Sequence, residues 1–192
     1  MATIIFGGSF DPLHIAHLTL AEWALYTLKA NKVLFVPKGQ AHLKDGCQAT
    51  PSQRLLMLQL ATAGLNWAEA ASYEVDKVLS GDSTPSYTYD TVNYFISHNI
   101  VESKPYLLLG DDWVGNFNRW HKAEQLAGLV QLVLANREQT AHFAYPHITL
   151  QNDLFKVSSS QIRGYIKQKK PYRFLVPPEV YHYIESHNLY KE

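Results

Sequence analysis

The sequence has almost no cysteine, no excess charge of either sign and no long apolar stretch. Its 192 residues include one cysteine, Cys47, which excludes an intramolecular disulfide and any zinc site built from several thiolates. This usage is typical of a reducing compartment, and we expect a cytoplasmic protein. No run of about 18 apolar residues occurs, and the first residues, MATIIFGG, lack the regions of a signal peptide. We therefore expect neither secretion nor a membrane partner.

The charges of the chain balance, with 17 Lys and Arg against 17 Asp and Glu. Such a chain has no overall field that would draw it to nucleic acid, and we expect no nucleic-acid partner. An anionic substrate must then be bound by a local group of residues. The composition is compatible with a homo-oligomer as well as a monomer.

Strand-like and helix-like segments alternate along the chain, which is typical of an α/β fold with a parallel sheet. We predict a Rossmann-like, doubly wound sheet in a single domain spanning 1–192, with a C-terminal helical segment from about 158. One helix start is marked by Thr50 as N-cap, Pro51 and Gln53, the pattern of a capping box. The predicted strands are 3–6, 32–36, 72–75, 106–109 and 129–135. The predicted helices are 15–28, 51–63, 89–97, 123–126, 158–167 and 178–187, with a loop at 76–85 and an ambiguous segment at 142–155.

The stretch GGSFDPLHIAH joins the first predicted strand to the first helix. Gly7 and Gly8 let backbone N–H groups approach a phosphate, and the helix dipole favours its charge. His14 and His17 are three residues apart and lie on one face of the helix. The stretch predicts a polyphosphate site, although a purely structural turn and a metal site that includes Asp11 are alternatives. Because no further ligand is evident, we predict no metal site made of side chains.

The stretch VSSSQIR places three serines, Ser158, Ser159 and Ser160, at a predicted helix start, with Arg163 one turn later. Hydroxyl and N–H groups at such a start can bind phosphate oxygens, and a guanidinium adds a planar, permanent charge. The alternative is ordinary, because serines are good N-caps and a helical arginine is usually solvated.

Both stretches resemble signatures of one superfamily of nucleotidyltransferases. Residues 9–17 resemble its (T/S)FDPxHxGH motif, with Ala16 where the family usually has glycine, and residues 157–163 resemble its (I/V)SSTxIR motif. The resemblance implies the nucleotidyltransferase type of Rossmann-like fold, with ATP bound between these motifs. The implied ATP-binding residues are Gly7, Gly8, Ser9, Phe10, His17, Gly110, Asp112, Ser158, Ser159, Ser160 and Arg163.

Three further segments resemble the nicotinate mononucleotide adenylyltransferase family: the run from Ser86 to Thr88, the run from Gly110 to Asp112 followed by Trp120, and Arg54. The resemblance implies adenylyl transfer from ATP to nicotinate mononucleotide, giving nicotinate adenine dinucleotide and pyrophosphate in NAD biosynthesis. Magnesium is expected to arrive with ATP. The implied catalytic residues are His14, His17, Lys44 and Arg163. The implied residues for the mononucleotide are Lys44, Arg54, Ser86, Tyr87, Thr88, Trp120 and His121.

Some of these assignments leave alternatives. Trp120 can stack on a cationic pyridinium ring, with backbone N–H groups near Thr88 and His121 receiving the carboxylate, or it can be an ordinary packed aromatic. Lys44 is a phosphate ligand or a solvated loop residue, and His42 is the alternative phosphate ligand of that loop. Arg54 either holds a substrate phosphate or is a charge on a helix surface.

Other functions also fit the motifs. A related transferase could use nicotinamide mononucleotide, phosphopantetheine or a cytidylyl donor, and a non-catalytic nucleotide sensor could retain the same pocket. HIAH also resembles the HIGH motif of class I synthetases, but the lysine-rich loop of those enzymes is replaced here by VSSSQIR.

Overall fold

The computed structural model describes residues 2–39, 47–82, 84–110, 115–135, 143–153 and 155–191. Within these residues, strands and helices alternate as the sequence predicts. The strands are β1 (Thr3–Gly8), β2 (Lys32–Pro37), β3 (Ala68–Ala70), β4 (Tyr106–Gly110), β5 (Gln131–Ala135) and β6 (His147–Leu150). The helices are α1 (Ile15–Leu28), α2 (Pro51–Thr62), α3 (Tyr73–Leu79), α4 (Thr88–Ser97), α5 (Ala123–Leu129), α6 (Ser159–Lys167) and α7 (Pro178–Ser186).

The six strands form one sheet in the order β3-β2-β1-β4-β5-β6. Strand β1 runs parallel to β4, with Ile5 beside Leu107, and β4 runs parallel to β5, which runs parallel to β6. Strands β2 and β3 therefore extend the sheet on one side of β1, and β4 to β6 extend it on the other side. This arrangement confirms the doubly wound prediction. The direction reverses between β1 and β4, and ligands of such sheets bind beyond the carboxyl ends of the strands at that point. Gly7 and Gly110 lie at those ends.

Two local predictions were wrong. The segment 72–75 was predicted as a strand and 76–85 as a loop, but Tyr73–Leu79 is α3. Within residues 72–75 alone, polar and apolar residues alternate as in a strand. Over the longer stretch 73–79, Val75, Val78 and Leu79 lie at helical spacing. The neighbouring strand β3 was missed because its sequence, AEA, has little β-propensity. Strand β6 lies in the segment that the sequence left ambiguous.

The chain divides into two compact units, which are described separately. Unit 1 comprises Met1–Gly7, Leu20–Leu34 and Thr84–Leu154. Its buried core follows the sheet, where Ile4, Leu108 and Val133 are at most 1% exposed. The prediction of a single domain stays a prediction. No helix in the described ranges is long and apolar enough to cross a membrane.

Unit 2 comprises Gly8–Thr19, Phe35–Ser83 and Phe155–Glu192. In this unit α2 packs against α7, around an apolar cluster of Ala49, Met57, Ile162, Ile166, Tyr172, Val176, Val180, Ile184 and Tyr190. The predicted capping box of α2 is present, since Thr50 Oγ1 accepts from Gln53 N at 3.2 Å and Gln53 Oε1 accepts from Thr50 N at 2.9 Å.

Candidate active site

The signature loop of unit 2, residues 8–17, is held in a compact turn by its own aromatic side chain. Phe10 has a φ of 49°, a left-handed conformation that bulky residues seldom adopt. Its ring is 1% exposed and packs edge-on against Phe35 and His17. A Cβ atom at Gly8 would lie 2.9 Å from the Phe10 ring. Burial of that ring therefore offsets the backbone strain, and the absence of a side chain at Gly8 makes room for it.

The rings of His14 and His17 lie together, but His14 immediately precedes α1 and does not share a helix face with His17 as predicted. Their rings stack with centroids 3.7 Å apart, and His14 is 2% exposed while His17 is half-buried. His17 Nδ1 accepts a hydrogen bond from the backbone N–H of His14 at 3.3 Å. A neutral ring that accepts at Nδ1 carries its proton on Nε2. The loop thus selects the His17 tautomer that can donate from Nε2, which suits an anionic oxygen.

The carboxylate of Asp11 is the most heavily bonded group of the loop. It is 1% exposed and accepts from Gln48 N at 2.8 Å, from Ala49 N at 3.1 Å and from the Tyr190 hydroxyl at 2.8 Å. Arg163 Nη1 lies 3.6 Å from Asp11 Oδ2. Burial, followed by the charge and hydrogen bonding of Asp11, raises the pKa of Tyr190 well above its usual range, which keeps the hydroxyl a donor.

The VSSSQIR stretch lies against this loop within unit 2. Arg163 Nη1 donates to the backbone carbonyl of Asp11 at 2.6 Å, across 152 residues of sequence, and Nη2 donates to Ser160 Oγ at 3.2 Å. Ser159 Oγ donates to the Pro12 carbonyl at 2.9 Å, and Ser158 caps α6 by accepting from Gln161 N. The structure therefore brings the two motifs together, with Ser158 and Ser159 holding the backbone and Arg163 joining helix to loop.

The side chain of Arg54 is hydrogen-bonded to the backbone of the same loop. Its side chain is 0% exposed, so it is not a helix-surface charge. Nη1 donates to the Ser9 carbonyl at 2.9 Å, and Nη2 donates to the carbonyls of Lys38 at 2.6 Å and Gly39 at 3.2 Å. A Cβ atom at Gly39 would lie 2.1 Å from the Glu74 carbonyl oxygen, so the loop after β2 can take this path only with glycine there. The role of Arg54 as a phosphate ligand stays a prediction.

Unit 1 carries five of the residues predicted to meet the mononucleotide, whereas Arg54 belongs to unit 2. The five are Ser86, Tyr87, Thr88, Trp120 and His121. Tyr87 is the N-cap of α4 and stacks on His121 with centroids 4.3 Å apart. Ser86 Oγ is closed to solvent and has no hydrogen-bond partner in the described part of the chain. Trp120 is half-buried and packs on Phe117 at 5.2 Å between ring centroids. The first turn of α4, which begins at Thr88, has no side-chain cap, so its N–H groups suit a carboxylate.

Three predicted residues, Lys44, His42 and Asp112, lie outside the described residues. Sequence reasoning also gave no role to Tyr190 and named Asp11 only as a rival metal ligand. Both belong to the same hydrogen-bonded network, but they are 179 residues apart, and no local pattern indicates the contact. The place of Asp11 inside the signature motif was the one feature of the sequence that could have indicated its importance. Within the described ranges, no group of three or more His, Cys, Asp and Glu is arranged to hold a metal ion.

Comparison with known proteins gives a consistent result. Residues 5–165 match the model of the cytidylyltransferase-like family. The chain is 35% identical to a probable nicotinate-nucleotide adenylyltransferase of Geobacillus kaustophilus, over 97% of this chain and 84% of that protein. It is 33% identical to one of Roseiflexus sp., over 97% and 96%.

Solved structures share the fold. Nicotinic acid mononucleotide adenylyltransferase of Plasmodium falciparum, in complex with APC, aligns with a TM-score of 0.76 and 18% identity over 98% of this chain and 96% of that one. The same enzyme in complex with NaAD aligns with a TM-score of 0.75 and 19% identity, over 99% and 98%. The motifs, the network that joins them and the full-length likeness together show that the chain belongs to the nicotinate-nucleotide adenylyltransferase family, within the cytidylyltransferase-like nucleotidyltransferases.

Proposed function

We propose that this enzyme transfers the adenylyl group of ATP to nicotinate mononucleotide, releasing pyrophosphate and forming nicotinate adenine dinucleotide. The observation that carries the proposal is the contact of Arg163 with the Asp11 backbone, because it unites the two phosphate-binding motifs in one unit. The full-length relatives named for this activity support the choice of acceptor.

In the proposed reaction an oxygen of the acceptor's 5′-phosphate attacks the α-phosphorus of ATP. A new P–O bond forms on one side while the bond to the β-phosphate oxygen breaks on the other, and pyrophosphate leaves with that electron pair. The attacking phosphate is already ionised at neutral pH, so no general base is needed. The protein therefore acts by positioning the phosphates and neutralising charge as it builds up.

Arg163 and His17 suit that task. Two of the five N–H donors of Arg163 are used by the Asp11 carbonyl and Ser160 Oγ in the described structure. We assign the remaining donors, and the Nε2 proton of His17, to the oxygens of the leaving pyrophosphate. His14 serves by orienting His17 through its backbone N–H. Lys44 is assigned to the same phosphates by resemblance alone.

Magnesium fits this site as a companion of ATP. His14, His17 and Arg163 provide no oxygen donors, and the oxygens of Asp11 already accept hydrogen bonds. Magnesium prefers oxygen ligands and usually keeps phosphate and water among them. We infer that the phosphates of ATP and water would hold the ion, which would supply additional positive charge there.

The acceptor is assigned to unit 1. We propose that Trp120 stacks on the cationic pyridinium ring, an interaction worth about 1 kcal/mol at an exposed site and more where water is excluded. The ring carboxylate is assigned to the N–H groups at the start of α4 and to the hydroxyl of Ser86, which is buried and has no hydrogen-bond partner among the described residues. Such donors would favour the acid over the amide.

Pyrophosphate release from ATP with each of three acceptors tests this proposal. With nicotinate mononucleotide we expect the highest kcat/KM and a product with the mass of nicotinate adenine dinucleotide. Nicotinamide mononucleotide should be a poorer substrate, and phosphopantetheine should give no product. Preference for phosphopantetheine, or tight ATP binding without turnover on any acceptor, would overturn the assignment.

A further inference from the structure

The hydroxyl of Tyr190 is placed to control the orientation of a buried charge. It donates to Asp11 Oδ1 at 2.8 Å, the shorter of the two hydrogen bonds to that oxygen, since Ala49 N lies at 3.1 Å. The tyrosine itself is 6% exposed, and its ring belongs to the apolar cluster of unit 2. The ring therefore fixes the position of the hydroxyl, and the hydroxyl restrains the carboxylate.

The other side of the carboxylate faces Arg163. Nη1 of Arg163 lies 3.6 Å from Asp11 Oδ2, too far for a good hydrogen bond, while it donates to the Asp11 carbonyl at 2.6 Å. Oδ2 instead accepts from Gln48 N at 2.8 Å. The two side chains thus form an ion pair at 3.6 Å, a distance at which the guanidinium and the carboxylate are not hydrogen-bonded to each other.

We propose that Tyr190 is a positioning residue for phosphate transfer, because its hydroxyl holds the Asp11 carboxylate in the orientation that leaves Arg163 available to substrate. The proposal rests on the function proposed above. Without the hydroxyl, Oδ1 keeps only the longer hydrogen bond from Ala49 N, and a carboxylate that loses a hydrogen bond in a buried place turns towards the nearest further donor. That donor is Arg163, whose guanidinium would then be drawn onto Asp11 and away from a phosphate.

A matched control lies in the same cluster. Tyr172 is 7% exposed, and its hydroxyl donates to the Glu185 carboxylate at 2.5 Å. Burial and the bond to Glu185 raise the pKa of Tyr172, as burial and Asp11 raise that of Tyr190. Tyr190→Phe and Tyr172→Phe therefore each remove one phenol donor from one carboxylate and leave the ring in place. They differ in the carboxylate, because Asp11 is 1% exposed and lies beside Arg163, whereas the Glu185 side chain is 40% exposed and pairs with Lys191.

Steady-state kinetics separate positioning from stability. We expect both variants to lower the melting temperature by ~2–4 °C. Tyr190→Phe should lower kcat by roughly 10-fold and leave the KM for nicotinate mononucleotide unchanged. A 10-fold change is what losing transition-state stabilisation equal to one hydrogen bond produces. Tyr172→Phe should leave kcat within about twofold of wild type. Equal losses of kcat in both variants, or none in either, would overturn the proposal.

Two measurements that need no turnover distinguish this proposal from the proposed function. Calorimetry with inorganic pyrophosphate should show affinity reduced roughly 10-fold in Tyr190→Phe and unchanged in Tyr172→Phe. Amide hydrogen exchange at Gln48 and Ala49 should accelerate only in Tyr190→Phe. If wild type fails to transfer adenylate while these differences appear, the proposed function is wrong and the positioning role stands. If wild type is active and neither difference appears, the positioning role is wrong.

A double-mutant cycle tests the route through Arg163. In an Arg163→Lys background, Tyr190→Phe should reduce pyrophosphate affinity much less than the 10-fold expected in the wild-type background. The reason is that lysine lacks the forked guanidinium that Asp11 would bind. Independent, multiplying effects would overturn the proposal.

Discussion

Arg54 and Asp11 are charged side chains that are almost closed to water, at 0% and 1% exposure, and both are hydrogen-bonded to main-chain groups. Arg54 donates to three carbonyls, and Asp11 accepts from two backbone N–H groups. Burying a charge without such partners costs several kcal/mol. At the residue scale, each charge therefore fixes the path of the loops that surround it.

Arg54→Met should destabilise the protein by about 2–4 kcal/mol, because it leaves three carbonyls without a donor in a buried place. The free energy of unfolding in urea measures this loss. Arg119→Met, at an exposed position, is the control and should change it by less than about 0.5 kcal/mol. If the two variants are equally stable, Arg54 does not organise the loop.

His17→Ala should lower kcat by roughly 10²–10³ with the fold intact, because it removes one donor already oriented for the transition state. Pyrophosphate-release kinetics and circular dichroism measure the two effects. His98→Ala removes an exposed histidine that likewise stacks on a neighbouring ring and should have near-normal kcat. A folded His17→Ala enzyme with normal kcat would rule out the proposed role.

Trp120→Ala should weaken binding of nicotinate mononucleotide roughly 10-fold and ATP binding far less, because a cation–π contact concerns the pyridinium alone. Calorimetric titration with each ligand compares the two. Trp23→Ala, which removes a tryptophan that is 39% exposed, should alter neither affinity. Equal losses for both ligands in Trp120→Ala would contradict the stacking assignment.

At the scale of elements, the sequence predicted best where chemistry is local. The start of α2 followed from Thr50, Pro51 and Gln53, because a capping box joins residues only three apart. Helix α3 could not be separated from a strand in a short window, and β3 exists through its pairing in the sheet, which AEA alone does not indicate. Contacts between residues far apart in sequence, such as that of Arg54 with Ser9, cannot be predicted from local sequence patterns.

The cap of α2 yields a quantitative test. Thr50→Ala should destabilise the protein by about 1 kcal/mol, because it removes the acceptor for Gln53 N. Ser52→Ala, an exposed site in the first turn of the same helix, should change stability by less than about 0.5 kcal/mol. Denaturation midpoints compare the two variants, and similar midpoints would show that the cap contributes little.

At the scale of the whole molecule, the doubly wound architecture and the two signature motifs followed from sequence, since alternating elements and short signatures are readable without coordinates. The partners of those motifs were not predicted. The Asp11 network draws donors from residues 48, 49, 163 and 190. Only the folded chain shows which of these donors meet.

Alkaline pH should unfold the protein through its buried tyrosines. The pKa values of Tyr172 and Tyr190 are raised by burial and by their carboxylate partners, so the folded state keeps protons that the unfolded state loses above about pH 10. Their contribution to stability is complete below that pH and is lost as pH rises, by about 1.4 kcal/mol per pH unit for each tyrosine.

Urea denaturation at several pH values above 9 measures this slope. Tyr190→Phe and Tyr172→Phe should each make it less steep by one tyrosine's share, whereas Tyr26→Phe, at a tyrosine that is 86% exposed, should not. Identical slopes in all four proteins would show that the buried hydroxyls do not control alkaline stability.

The hydrogen bond between Asp11 and Tyr190 also bears on the order in which the site can form during synthesis. Synthesis proceeds from the N-terminus, so the signature loop leaves the ribosome long before the residue that completes its hydrogen bonds. The loop residues are translated first, and the donors from Arg163 and Tyr190 follow 152 and 179 residues later. The hydrogen-bonded network around Asp11 is therefore complete only once Tyr190 has been translated.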